Sequence, residues 1–424
     1  MTRTPGPSAA ARREAIAGLY VHVPFCAVRC HYCDFSSGAL SKAAVERYLA
    51  AIAVEARLRA SGAAQTRFHS VFFGGGTPSA LGPAAFARLM RTLRDQFDIA
   101  PGAEITLEAN PESVDAGRLE AWRAGGVNRL SMGAQSFHAD ELERLGRVHA
   151  AGRPAAATAL ARAYGFERLS LDLMFGYPGH DARRFEASLE AALACGIEHL
   201  SAYCFIPEPG TPLGDAALAG EAALSGPETE ADLYEVAERV LSDAGFACYE
   251  TSNFCRPGAE ARHNLVYWLR RPYLGLGPSA HSLLNGERFA NHYAFARWAA
   301  ALECGRAPES ERERESEVSV ATEILLLGLR LGRGIDPRDH SATVWRALRS
   351  RFGDALDRAV NAGRLDLGGG AYRVPAWARF VADEVIAWVL AREQSPCEGR
   401  APFDTRAASP IMIEPCSNLP SPAI

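Results

Sequence analysis

The stretch Leu19-Tyr20-Val21-His22-Val23-Pro24-Phe25-Cys26-Ala27-Val28-Arg29-Cys30-His31-Tyr32-Cys33 decides how the rest of the chain is read. Its first residues are β-branched, aromatic or aliphatic, the composition of a strand buried on both faces. The strand runs into three cysteines within eight residues, spaced Cys26-x3-Cys30-x2-Cys33. Three thiolates on a tight loop hold three corners of an iron–sulfur cubane, and with no fourth cysteine in the pattern one iron keeps an open position. A structural zinc site needs four ligands, and His22 or His31 would supply the fourth, so zinc stands as the alternative. Cys195, Cys204, Cys248, Cys255, Cys304, Cys397 and Cys416 are scattered, which argues for a metal loop and against a disulfide scaffold.

Composition sets limits around this loop. The chain has 424 residues, 48% of them apolar, enough for two or three domains and too many for wholesale disorder. A net charge of −5 argues against a protein that coats nucleic acid or a membrane surface. Lys42 is the only lysine, which removes a P-loop ATPase and nearly removes Schiff-base chemistry. No run reaches the ~18 apolar residues of a membrane span, and Leu19 to Phe25 is too short for a signal-peptide core. A cytoplasmic, reducing environment is expected.

Strand candidates recur at Leu19–Pro24, Ser70–Phe73, Glu104–Glu108, Arg129–Met132, Leu169–Met174 and His199–Phe205, with Ala-rich amphipathic segments between them. This alternation predicts an α/β fold, a partial or open (β/α)6 barrel over 18–250, with a parallel sheet covered on both faces. Active sites in such sheets gather at the C-terminal strand ends. Cys26, Gly74–Thr77, Glu108, Gln135, Asp172 and Tyr203 all follow strands or lie near their ends. Residues 251–317 read as an irregular connecting segment, its charged run Glu309 to Glu317 as a solvated linker or helix start. A small, mainly helical domain is expected over 318–392, with disordered segments at 1–17 and 393–424.

The CxxxCxxC loop resembles the signature of the radical S-adenosylmethionine (SAM) family. The resemblance extends over roughly residues 18–390. Tyr20–Cys26, Gly74-Gly-Gly-Thr-Pro78, Glu108-Ala-Asn-Pro-Glu112, Arg129–Phe137 and Asp172-Leu-Met-Phe-Gly-Tyr-Pro178 are similar to motifs of the oxygen-independent coproporphyrinogen oxidase group. The resemblance implies a [4Fe-4S] cluster on Cys26, Cys30 and Cys33, whose open iron chelates the amino and carboxylate groups of SAM. It implies that Tyr20, Gly75 and Glu108 contact this SAM. Tyr32, Gly76, Thr77, Gln135, Arg147 and Asp172 match positions that hold a second SAM in the true oxidase.

Two features divide the group. The oxidase branch carries a further Cys two places after the third cluster Cys, where this chain has Phe35. His263-Asn264-Leu265-Val266-Tyr267-Trp268 resembles the HNxxYW motif of the HemW-like heme chaperones. On a helix His263 and Tyr267 share a face, and an imidazole beside aromatic surface suits an axial ligand with a stacking wall. The resemblance therefore implies heme contacts at His263, Tyr267 and Trp268, with Cys255 or His281 as weaker ligand candidates. It implies heme-accepting respiratory proteins and an electron donor as partners. An oxidase that decarboxylates porphyrinogen propionates, and a zinc-stabilised binding protein without radical chemistry, are the competing readings.

Overall fold

The computed structural model describes residues 16–393. The segments expected to be disordered, 1–17 and 393–424, fall outside the described residues except at their inner ends, and Ala17 already belongs to the first strand. Six parallel strands carry the core: β1 (Ala17–Val23), β2 (Arg67–Gly75), β3 (Asp98–Ala109), β4 (Arg129–Gln135), β5 (Arg168–Phe175) and β6 (His199–Cys204). They pair in sequence order, each neighbour in parallel. The helices between them, α1 (Lys42–Ala60), α2 (Pro83–Gln96), α3 (Ala116–Ala124), α4 (Arg153–Ala163) and α5 (Ala182–Ala194), give the right-handed crossovers that parallel strands require. Their starts are fixed locally. Ser41, Asp115 and Asp181 each accept a backbone N–H of the following turn, which satisfies donors that a helix start leaves free.

The sheet does not close. A helix, α6 (Pro227–Asp243), leads to β7 (Ala247–Glu250) and β8 (Asn253–Cys255), and β8 pairs antiparallel with β6. After α7 (Arg262–Trp268) the chain returns to the opposite side. There β9 (Tyr273–Leu276) pairs in parallel with β1, and β10 (His281–Leu284), β11 (Glu287–Asn291) and β12 (Glu309–Arg314) continue antiparallel. The result is one 12-stranded open sheet ending in β12 and β7.

Two expectations are corrected here. Residues 251–317 are not an irregular connector, because five strands of the sheet lie in it. The charged run is not a linker: Glu309–Arg314 is an edge strand, and the next helix starts only at Glu317, capped by Ser316. Its side chains are nearly all exposed, so it lacks the apolar alternation by which strands are recognised. It is held by backbone pairing to β11 and by Arg312 and Arg314 reaching Glu287 across the strands.

A second hydrophobic cluster forms around Leu325, Phe352, Leu356, Tyr372 and Val389. It is built by the helices Glu317–Gly328, Ala342–Asn361 and Ala382–Leu390 and a short hairpin. It meets the sheet at the β7 edge, where Gly332 N–H donates to the Tyr249 carbonyl at 2.9 Å, and where Arg379 pairs with Glu238.

One buried carboxylate ties α1 to the added strands. Glu55 accepts from Gly277 N–H (2.8 Å), Asn291 Nδ2 (2.6 Å) and Trp298 Nε1 (3.0 Å). Glu55→Ala would leave these donors unpaired in the interior. Chemical denaturation is expected to show a loss of about 3 kcal/mol, whereas a loss under ~1 kcal/mol would show the network is dispensable.

Candidate cofactor-binding cleft

The lumen of the open barrel is a cleft of 390 Å³, within the range of small-molecule sites. Strand alternation lines it. In β4, Arg129, Ser131, Gly133 and Gln135 face the cleft, while Leu130, Met132 and Ala134 pack outward into the core. In β5 and β6 the same register presents Asp172, Met174, His199, Ser201 and Tyr203.

At the C-terminal strand ends the loop after β1 brings Cys26, Cys30 and Cys33 to the cleft wall, all three as free thiols. Backbone bonds fix the loop: Gly76 N–H to the Val23 carbonyl (2.9 Å), His31 N–H to the Leu145 carbonyl (3.1 Å) and Leu213 N–H to the His31 carbonyl (2.8 Å). Thr77 Oγ1 lies 3.3 Å from Cys26 Sγ, and Arg147 Nη1 donates to Cys30 Sγ at 3.3 Å. Burial, reinforced by Cys30 and Cys26, pushes the Cys33 thiol up to about 12, so a metal must displace its proton to bind. Among the described residues no three His, Cys, Asp or Glu side chains are grouped to hold a single metal ion. Three soft thiols carried on one loop are a donor set that iron–sulfur clusters take. Of the two histidines offered as a fourth zinc ligand, only His31 keeps a ring nitrogen, Nε2, without a partner among the described residues, and it is not among the residues that line the cleft. His31 Nδ1 donates to the Arg144 carbonyl, and both His22 nitrogens are engaged.

His22 links the strand to the loop. Its Nε2–H donates to the Ser36 carbonyl at 2.8 Å, so Nδ1 is the acceptor for the Tyr20 hydroxyl at 3.1 Å. Burial holds the ring neutral by lowering it to about 4. Tyr20 is therefore packed behind the cleft and acts on the loop through His22. It is not among the residues that line the cleft, and it stacks on Phe72, which is.

The other eight implied SAM positions, Tyr32, Gly75, Gly76, Thr77, Glu108, Gln135, Arg147 and Asp172, all line the one cleft. Glycine is required at two of them. Gly75 has φ +106, and a Cβ at Gly76 would lie 2.9 Å from the backbone of Phe25, so only bare backbone fits between β2 and the cysteine loop. Gln135 sits at φ 65 beside an irregularity in the β4–β5 register. A non-glycine residue held there is an uncommon backbone state that functional sites concentrate. Arg147 donates to Asn110 Oδ1 and the Gly133 carbonyl, both at 2.8 Å, while its buried Nε has no partner. Burial, with Asp172 nearby, pushes Glu108 up to about 8. Burial also raises Asp172, against hydrogen bonds from Ser201 (2.9 Å) and Ser131 (3.1 Å). The bare backbone, the orphan Arg147 nitrogen and the paired carboxylates fit an ammonium- and carboxylate-bearing nucleoside such as SAM.

The implied heme residues are not brought to this cleft. His263 is 1% exposed, stacked on Phe72 with ring centres 5.1 Å apart. Its Nδ1 shares a hydrogen bond with Ser70 Oγ, and its Nε2 with Tyr267 Oη, both at 2.9 Å. Burial lowers it to about 3, so the ring is neutral, with neither nitrogen open to iron. Tyr267 and Trp268 face away with it, and of this motif Asn264 alone lines the lumen. Cys255 is buried and His281 half-buried, and both are outside the lining. The sequence reading missed Asn110, Arg129, Ser131, His199, Ser201 and Asn253. Counting back by twos from Gln135 would have found Ser131 and Arg129.

The model of the radical SAM superfamily matches residues 20–192. Heme chaperone HemW of Mycobacterium tuberculosis is 38% identical over 376 residues, covering 88% of this chain and 94% of that protein. Heme chaperone HemW of Bacillus subtilis is 33% identical over 375 residues, covering 88% and 98%. The structure of coproporphyrinogen III oxidase (HemN) from Escherichia coli superposes with a TM-score of 0.76 at 22% identity, covering 90% of this chain and 92% of that one. The last likeness establishes the fold, and membership of the superfamily implies an iron–sulfur cluster and SAM. With thiols, glycine cradle and carboxylates gathered on one cleft and the identity extending over nearly its whole length, the chain belongs to the HemW family of radical SAM proteins.

Proposed function

We propose that this protein is a SAM-binding [4Fe-4S] heme chaperone that binds heme and hands it to respiratory heme proteins in the cytoplasm, with an electron donor reducing its cluster. The observation that carries the reading is Phe35. It is 44% exposed at the mouth of the cleft, where a further cysteine would mark the oxidase. With Val28 and Ile206 it forms an exposed apolar rim, a surface suited to the face of a flat macrocycle. When bound, the cluster and SAM supply one-electron chemistry. The chain's own residues do the rest: Arg147 and Thr77 steady the thiols, Glu108 and Asp172 offer hydrogen-bond acceptors inside the lumen, and the rim limits water. No helix among the described residues is long and apolar enough to cross a membrane.

Anaerobic titration tests the proposal. Protein with cluster and SAM is expected to bind heme with a Soret band and to leave coproporphyrinogen III unconverted. Conversion at the rate of a control oxidase would overturn it in favour of the enzyme. We infer that His263 supports this site by packing. His263→Ala is expected to cost about 3 kcal/mol of stability by leaving a void and two unpaired hydroxyls, with the Soret maximum kept. A lost Soret band in a variant of unchanged stability would instead make His263 an iron ligand.

A further inference from the structure

Arg129 is 4% exposed and lines the floor of the lumen, and its guanidinium makes no hydrogen bond or ion pair with any described residue. An arginine this buried ordinarily has a hydrogen-bonded partner, because leaving its donors unmet is costly. The local charges do not use it up. Arg129 also borders a groove at the N-terminal strand ends, but there Arg123, Arg168 and Arg262 already face Glu104, Glu167 and Glu260, three against three. In the lumen Arg129 and Arg147 face Glu108 and Asp172. Burial keeps Glu108 largely protonated near neutrality, which leaves one positive charge over. Around Arg129 stand further polar groups with spare capacity. Asn253 Oδ1 is buried without a partner, and Asn264 reaches the lumen from α7.

We propose that Arg129 is the anchor of a carboxylate-binding subsite on the lumen floor, completed by Asn264. The ligand is a second molecule beyond the SAM held at the cysteine loop. Six residues of extended strand separate Gln135 at the rim from Arg129, or about 20 Å, so a carboxylate chelated at the loop does not reach it. A guanidinium receives a carboxylate through two parallel hydrogen bonds. Two carboxylates meet that description, a tetrapyrrole propionate and the amino-acid end of another SAM. The first rests on the heme reading above and the second does not.

The test uses the full-length, cluster-loaded protein and four probes: heme, heme dimethyl ester, SAM and decarboxylated SAM, with Kd measured by Soret titration or equilibrium dialysis. Arg129→Gln is expected to weaken the acid form of one pair on the order of 30-fold and to leave its carboxylate-free partner unchanged. Arg129→Lys, which keeps the charge, should recover much of the loss. A penalty confined to the heme pair assigns the site to propionate, and one confined to the SAM pair assigns it to the amino acid. Wild-type protein that binds no heme sinks the chaperone reading alone, since the SAM pair still decides this one. Equal weakening of acid and analogue, or no weakening, overturns the subsite. If the Gln variant fails to fold, equal wild-type affinities for heme and its ester, and for SAM and its decarboxylated form, overturn it as well.

Discussion

Cys30→Ser protein purified without oxygen is expected to hold less than about a tenth of the iron and sulfide of the unmodified chain. Cys30 is the middle of the three thiols on the loop, and its Sγ is the acceptor for Arg147 Nη1. A serine there keeps the shape and loses the soft, anionic sulfur that iron selects. Two thiols cannot hold a cubane against solvent. The fold should survive, since the loop is fastened through backbone groups at His31, Gly76 and Leu213, and far-UV circular dichroism should be unchanged. Iron and sulfide retained at wild-type levels would mean that the three cysteines are not the ligand set. One zinc per chain and no sulfide in the wild type would establish the competing metal instead.

Glu108→Gln should make the ligand-free protein more stable at pH 8 by roughly 4 kcal/mol, and scarcely more stable near pH 4.5. The carboxyl titrates near 4.5 when exposed and near 8 in the folded lumen. Between these values the folded protein keeps a proton that the unfolded chain has released. Stability therefore falls as pH rises through this window and levels off above it. Glutamine matches the protonated acid in shape and never ionises, so it escapes the loss. Comparing urea unfolding of the two proteins across pH 4.5–8.5 cancels other buried carboxylates such as Glu55 and Glu250. A constant difference across that range would show that Glu108 is not a buried titrating acid. The same variant should bind SAM more weakly, because the resemblance implies that this carboxylate contacts SAM. Stability and binding would then move in opposite directions, as expected where a site is held at a cost to the fold.

The parallel core was legible because every strand from β1 to β6 is a short apolar run followed by an amphipathic segment, and the thiols fall directly after the first. The cleft was legible for a related reason: residues at C-terminal strand ends converge whatever their distance in sequence, so Cys26, Gly76, Glu108, Gln135 and Asp172 meet. The edge strands were not legible. Glu309–Arg314 is charged throughout, and β8 and β9 are three or four residues long, so periodicity had too little to act on. The lumen floor was missed because Arg129 sits at the start of its strand, where attention to strand ends does not look. His263 misled for a different reason. Its motif marks the family, but membership says nothing about which way a ring points, and the packing of Phe72, Ser70 and Tyr267 turned it inward.

The exposed edge strand β12 has a consequence for what the molecule can touch. An unpaired strand edge is a template on which another chain can add, and among the described residues this sheet ends in such an edge. Its Glu–Ser–Glu–Arg–Glu–Arg run makes any added strand pay attention to register: a slip by one residue swaps attraction for repulsion along its length. An accidental polymer of chains joined edge to edge is thereby discouraged by the same six side chains.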